Sequence, residues 1–238
     1  MSPMQTGHIS SQFDADLEAV HALVVHMGGL VEAQVVNAIN ALNSGDIELA
    51  DEIIVIDRLV NNLESRIDEN CIHIIARRQP AASDLRLLMT IVRTVTELER
   101  ISDEAVKIAR MTNRIYGSDR INLPRFSEIV RSGELAIDML RKALDGFARG
   151  DASNTVLVVE GDKGVDDEFS SVLRYLITFM VEDPRNITSM LDIVFAAKAI
   201  EQIGDHVKNM SEYIVYLVKG KDVRHSSADE ISEVLMEQ

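Results

Sequence analysis

Apolar residues along this chain recur at intervals of three, four or seven. Leu87, Ile91, Leu98, Ile101, Ala105 and Ile108 form one such series, the single buried stripe that a helix requires. The same spacing runs through almost the whole sequence, and the punctuation cuts it into six long helices. The first starts at Ser10 or Ser11 and stops at Gly45, where Asp46 is placed to cap the second by accepting from the free amides of its first turn. The second runs to about Arg78 and is broken by Pro80. Ser83 or Asp84 caps the third, which Gly117 ends. Ser118–Pro124 reads as a linker, with Pro124 in the first turn of the fourth helix. Gly150-Asp151 repeats the stop-and-cap arrangement of Gly45-Asp46. The fifth helix ends near Glu182 at the turn Asp183-Pro184-Arg185-Asn186, and the sixth continues to Gly220. The segment from Lys221 on reads as a charged, partly frayed tail.

The two halves of this pattern repeat. Gly45-Asp46 and Gly150-Asp151 lie 105 residues apart, as do Asp57 and Asp162, and Leu98-Glu-Arg-Ile-Ser-Asp103 matches Ile200-Glu-Gln-Ile-Gly-Asp205 at a spacing of 102. Short turns make consecutive helices antiparallel. The predicted fold is therefore all-α: two pseudo-symmetric antiparallel three-helix bundles from an internal duplication, over residues 10–117 and 124–220, followed by the tail 221–238.

Composition narrows the function. A net charge of −15 over 238 residues argues against a basic surface that grips nucleic acid or anionic lipid. Only 4% of residues are aromatic and four are Pro, which disfavours a β-sandwich. The lone Cys71, in an Ile-rich stretch, reads as a packed, reduced thiol. No secretory leader and no uncharged run of about 18 residues is found, so the chain reads as soluble and cytoplasmic.

The acids carry the chemistry. Glu99/Asp103 and Glu201/Asp205 stand four residues apart on one helix face, at the margin of the apolar arc. With the second and third helices turning near Ala81, Asp57 lies 24 residues before the turn, and Glu99 and Asp103 lie 18 and 22 after it. In the second half Asp162 and Asp166 lie 22 and 18 before Pro184, and Glu201 and Asp205 lie 17 and 21 after it. Equal distances from a turn mean equal heights, so Asp57, Glu99 and Asp103 should meet beside Asn61, and Asp162, Asp166, Glu201 and Asp205 should meet in the other bundle. Converging carboxylates form a hard oxygen-donor set for Mg, Ca, Mn or iron. The competing reading has these acids paired with cations such as Arg100 and Lys163 on solvated faces. Gly161 and Gly164, beside Asp162, either permit close backbone approach there or mark a tight helix crossing, the reading that Gly28-Gly29 and Gly133 favour.

These residues also carry a resemblance. The duplicated Glu-x-x-x-Asp motifs, the turn Arg77-Arg-Gln-Pro-Ala-Ala-Ser-Asp-Leu-Arg86, the segment Met27-Gly-Gly-Leu-Val-Glu32 and the stretch Tyr216-Leu-Val-Lys-Gly-Lys-Asp-Val-Arg-His225 resemble the PhoU family over nearly the whole chain. The resemblance implies a non-enzymatic negative regulator of the phosphate-starvation response, commonly a homodimer. It connects the ATPase of the phosphate ABC transporter to a membrane sensor histidine kinase and reaches the membrane only through those partners. It further implies an iron-type or other metal cluster at Glu99, Asp103, Glu201 and Asp205, joined by Asp57 and Asp162. Ser102 and Gln202 stand where the family has Gly and Arg, and neither change removes a carboxylate. Asn61, opposite Asp166 of the second copy, makes the first site less anionic. The rival from another class is a di-iron enzyme. Its two Glu-x-x-His motifs are represented only by Glu18-Ala-Val-His21, one helix away from the acids, while His206 points off the Glu201/Asp205 face.

Overall fold

The periodicity resolves into helices whose ends are set by local chemistry. A computed structural model describes residues 11–117 and 127–237. The helices are α1 (Ser11–Ser44), α2 (Ile47–Arg78), α3 (Ala82–Tyr116), α4 (Ser127–Arg149), α5 (Thr155–Glu182), α6 (Ile187–Lys219) and α7 (Ala228–Met236). Ser10 and the predicted linker Ser118–Pro124 lie outside the described residues. Gly45 and Gly150 end α1 and α4 at φ of 73° and 62°, a left-handed conformation that residues with a Cβ rarely adopt. Asp46 caps α2 as predicted, accepting from Leu49 N at 3.0 Å.

Three end assignments differ from the sequence reading. Asp151 does not cap α5: its carboxylate is taken by the amide and hydroxyl of Ser153, and the helix starts only at Thr155. Ser83 and Asp84 lie in the first turn of α3 rather than at its cap, which is Ala81, without a side-chain hydrogen bond. Third, the tail is not frayed throughout. Ser227 and Glu230 form a reciprocal capping box that starts α7, and Ile231 is fully buried against the body.

α1, α2 and α3 pack on one another, as do α4, α5 and α6. The two groups meet along α3 and α6, with α1 against α4 beside them; α2 and α5 lie on the outside. α3 and α6 run antiparallel. Arg114 meets Asp192 at 3.6 Å, His206 meets Glu97 at 2.7 Å, and the Arg86 guanidinium lies over the Tyr216 ring at 5.8 Å. The apolar series of α3 is buried from Leu88 through Ile108, whereas Leu87 is only partly covered. α1 is long and apolar enough to cross a membrane by length and composition, and Val20, Val24, Met27, Val31 and Val35 on it belong to the core.

The halves are related by an approximate twofold. A Cβ on Gly28 would collide with Leu144, and one on Gly133 would stand 2.7 Å from Ile39. Gly133 is 105 residues beyond Gly28, and Leu144 is 105 beyond Ile39, so the α1–α4 contact is made twice with the roles exchanged. A Cβ on Gly161 would stand 2.9 Å from Met139 of α4, and one on Gly164 would stand 3.7 Å from Leu135. Gly161 thus serves the helix crossing, whereas a Cβ on Gly164 would make only an ordinary contact.

Candidate acidic site

In each hairpin the acids lie within electrostatic reach of one another. In the first, burial raises the Glu99 carboxyl above its ordinary range, and the neighbouring charges of Asp103 and Asp57 raise it further. Asp57 itself is held by neutral donors. Ser102 of α3 donates to its Oδ1 at 2.9 Å, and Asn61 donates to its Oδ2 at 3.2 Å. The single proton of Ser102 also faces Gln34 Oε1 of α1 at 2.9 Å, so one hydroxyl links three helices.

In the second hairpin, burial and then the charges of Asp162, Glu201 and Asp205 raise the Asp166 carboxyl. Asp205 is raised by burial, then by Asp162 and Glu201. Asp162 is 3% exposed. Its Oδ2 accepts from Lys208 Nζ at 2.9 Å, while its Oδ1 accepts no hydrogen bond among the described residues. Gly204 borders that oxygen: a Cβ there would lie 3.2 Å from it. Lys198 pairs with Glu201 and lies over the Phe169 ring at 5.5 Å.

The seven residues named from the sequence fall into two groups whose members feel one another's charge, with Asp103, Asp166 and Asp205 exposed to solvent. Asp57, Glu99 and Asp103 share one cluster, and Asp162, Asp166, Glu201 and Asp205 share the other. Sequence reading missed Glu64 and Asp68. The Glu64 carboxyl is raised by burial and then by Glu99, Asp68 and Asp103, and Asp68 Oδ1 is buried without a partner among the described residues. Glu64 stands about as far before the α2–α3 turn as Glu99 stands after it, so the same height rule would have found it. It also missed Lys208 and Lys198, which balance the second cluster in place of Lys163. Arg100 eases the charge on Glu99 but lies 3.8 Å from Glu97.

Among the described residues, no three His, Cys, Asp or Glu side chains converge as a ready ligand set. In the second cluster two carboxylates are instead paired with lysines. The donor chemistry still fits a hard cation, for every group is a carboxylate, Asp162 Oδ1 is buried and unpaired among the described residues, and mutual repulsion penalises the anions.

Other polar groups are accounted for elsewhere. His206 donates through Nδ1 to Glu97 Oε2 at 2.7 Å across the α3–α6 seam, since a carboxylate can only accept, and the Tyr213 hydroxyl donates to Oε1 at 3.2 Å. His21 stacks on Phe147 at 5.0 Å and Glu18 is exposed, so this pair builds no di-iron half-site. Burial pushes the core thiol of Cys71 up to about 12, leaving it protonated. Two open clefts, of about 260 Å³ beside His73 and Arg77 and about 360 Å³ under α7, lie away from the acids.

With this geometry in view, the likenesses to known proteins are informative. A family model described as the PhoU domain matches residues 24–112 and again 129–214. The chain is 46% identical over 229 residues to the phosphate-specific transport system accessory protein PhoU homolog of Pseudomonas aeruginosa, spanning 96% of this chain and 94% of that one. It is 45% identical over 228 residues to the phosphate-specific transport system accessory protein PhoU of Escherichia coli K12, spanning 96% and 94%. The crystal structure of PhoU from Pseudomonas aeruginosa superposes with a TM-score of 0.84 at 46% identity, over 88% of this chain and all of that one. The phosphate transport system regulatory protein PhoU from Streptococcus pneumoniae gives 0.81 at 26% identity, over 89% and 99%.

Proposed function

The chain belongs to the PhoU family, and from that premise we propose that it is an accessory regulator of phosphate uptake that works by binding other proteins. Within that role it is a negative regulator of the phosphate-starvation response. It couples the ATPase of the phosphate ABC transporter to a sensor histidine kinase, from the cytoplasmic face and as a homodimer. The observation that carries this reading is the likeness at 45% identity or more over nearly the full length, with both repeats matched by the family model. Its test is deletion of the gene. In phosphate-rich medium the deletion strain is expected to express alkaline phosphatase and the other starvation genes; an unchanged phosphatase level would overturn the reading.

The acidic clusters are proposed to hold a hard divalent or iron-type cation. Asp57, Glu99 and Asp103 would hold it in the first half, and Asp162, Asp166, Glu201 and Asp205 in the second. The cation would supply positive charge to carboxylates that otherwise repel one another. Glu99→Ala with Asp103→Ala, or Glu201→Ala with Asp205→Ala, is expected to lose metal from the altered half by elemental analysis while the helical circular dichroism persists. Metal-free wild-type protein after mild purification would count against the site.

A further inference from the structure

The two halves do not neutralise their acids in the same way. Asp57 has both oxygens satisfied by uncharged donors, Ser102 and Asn61. Its counterpart Asp162 is more deeply buried and is held on one oxygen by an ammonium, with the other oxygen bare. The exchange follows from two positions at the 102-residue spacing of α3 and α6. Ser102 corresponds to Gly204, and Val106 corresponds to Lys208. Without a side chain at 204 there is no hydroxyl to reach Asp162, and a Cβ there would already press on its Oδ1. The ammonium compensates from one turn further along α6.

We infer that Lys208 is the resident counter-cation of Asp162 in the second acidic cluster, and that a hard cation enters Asp162, Asp166, Glu201 and Asp205 by displacing its ammonium. This rests on the cation reading above. Three observations support it. Glu201, Gly204, Asp205 and Lys208 stand at i, i+3, i+4 and i+7 on α6, so the ammonium and the acids share one face. Asp162 Oδ1 is buried beside Gly204 with no hydrogen-bond partner among the described residues. Lys208 is also free to leave: its side chain is 33% exposed on a flexible four-carbon stem. Glu212, buried one further turn along the same helix, feels the Lys208 charge and offers it an alternative partner. The first cluster has Val106 at the corresponding place, and Asp57 there is held by uncharged donors.

The test is a titration with Mn²⁺ in a Glu99→Gln, Asp103→Asn background, which leaves the second half as the metal-binding half. Adding Lys208→Met is expected to tighten Mn²⁺ binding by about tenfold or more, because the ion pair on Asp162 then no longer has to be broken, whereas Lys208→Arg keeps the parental affinity. A Lys208→Met protein that binds Mn²⁺ no tighter than its parent would overturn the inference and leave the cation reading standing. Absence of Mn²⁺ binding in the wild type and every variant would overturn both. Should Lys208→Met fail to fold, amine footprinting of the unaltered chain gives the answer: Lys208 is expected to acylate faster when Mn²⁺ is added, and an unchanged rate would refute displacement.

Discussion

Single substitutions between the repeats change how a charge is held. Ser102 reads from the sequence as a harmless departure, since no carboxylate is lost. In space its hydroxyl is what satisfies Asp57, and the glycine that replaces it in the second repeat passes that duty to Lys208. Such cross-helix pairing has no local signature, and so Lys208 was not legible while the acids were. Glu212 is the sharpest case of a charge held against its preference. Burial raises its carboxyl from the ordinary 4.5 to about 7, Lys208 and Arg224 working against the rise and Asp222 and Asp162 with it. Between those two values the folded chain binds a proton that the unfolded chain does not. Stability therefore falls as pH rises through this window and is lowest above it. Glu212→Gln is expected to match the wild type in thermal unfolding at pH 4.5 and to exceed it at pH 8, by about 2–4 °C for each kcal/mol regained. Equal midpoints at pH 8 would show that the carboxyl ionises without cost.

At the scale of elements, periodicity and glycine placement predicted the six long helices, because each must bury a stripe and α1, α4 and α6 stop at a glycine with left-handed backbone. α7 was missed for a physical reason: its nine residues bury only Ile231 fully, too little to stand out among charges. The Ser-x-x-Glu of its capping box was nonetheless present in the sequence. The glycines of α1 and α4 separate two roles that look alike on paper. Gly29 has nothing within 4 Å of where a Cβ would go, whereas a Cβ on Gly133 would meet three atoms of Ile39 at 2.7 to 2.9 Å. Gly29→Ala is expected to stabilise the chain by about 1 kcal/mol through helix propensity alone. Gly133→Ala should lose that gain to overpacking of about 1–3 kcal/mol and unfold at lower denaturant. Chemical denaturation of both variants checks the contrast, and a stabilised Gly133→Ala would mean that α1 yields easily.

Across the whole molecule, the seam between the halves is where sequence reading stopped short. The duplication was visible, yet the partnership of α3 with α6, and the Glu97–His206–Tyr213 network that crosses it, join residues more than 100 positions apart. The exchanged contacts of Gly28 with Leu144 and Gly133 with Ile39 carry a consequence for origin. A surface that fits its own duplicate needs no second partner. An ancestor of half this length could have paired with an identical copy through the same knob and notch. Fusion of two such genes would then have tethered a homodimer at fixed stoichiometry, leaving each copy free to diversify its acids while the shared fit restrained both.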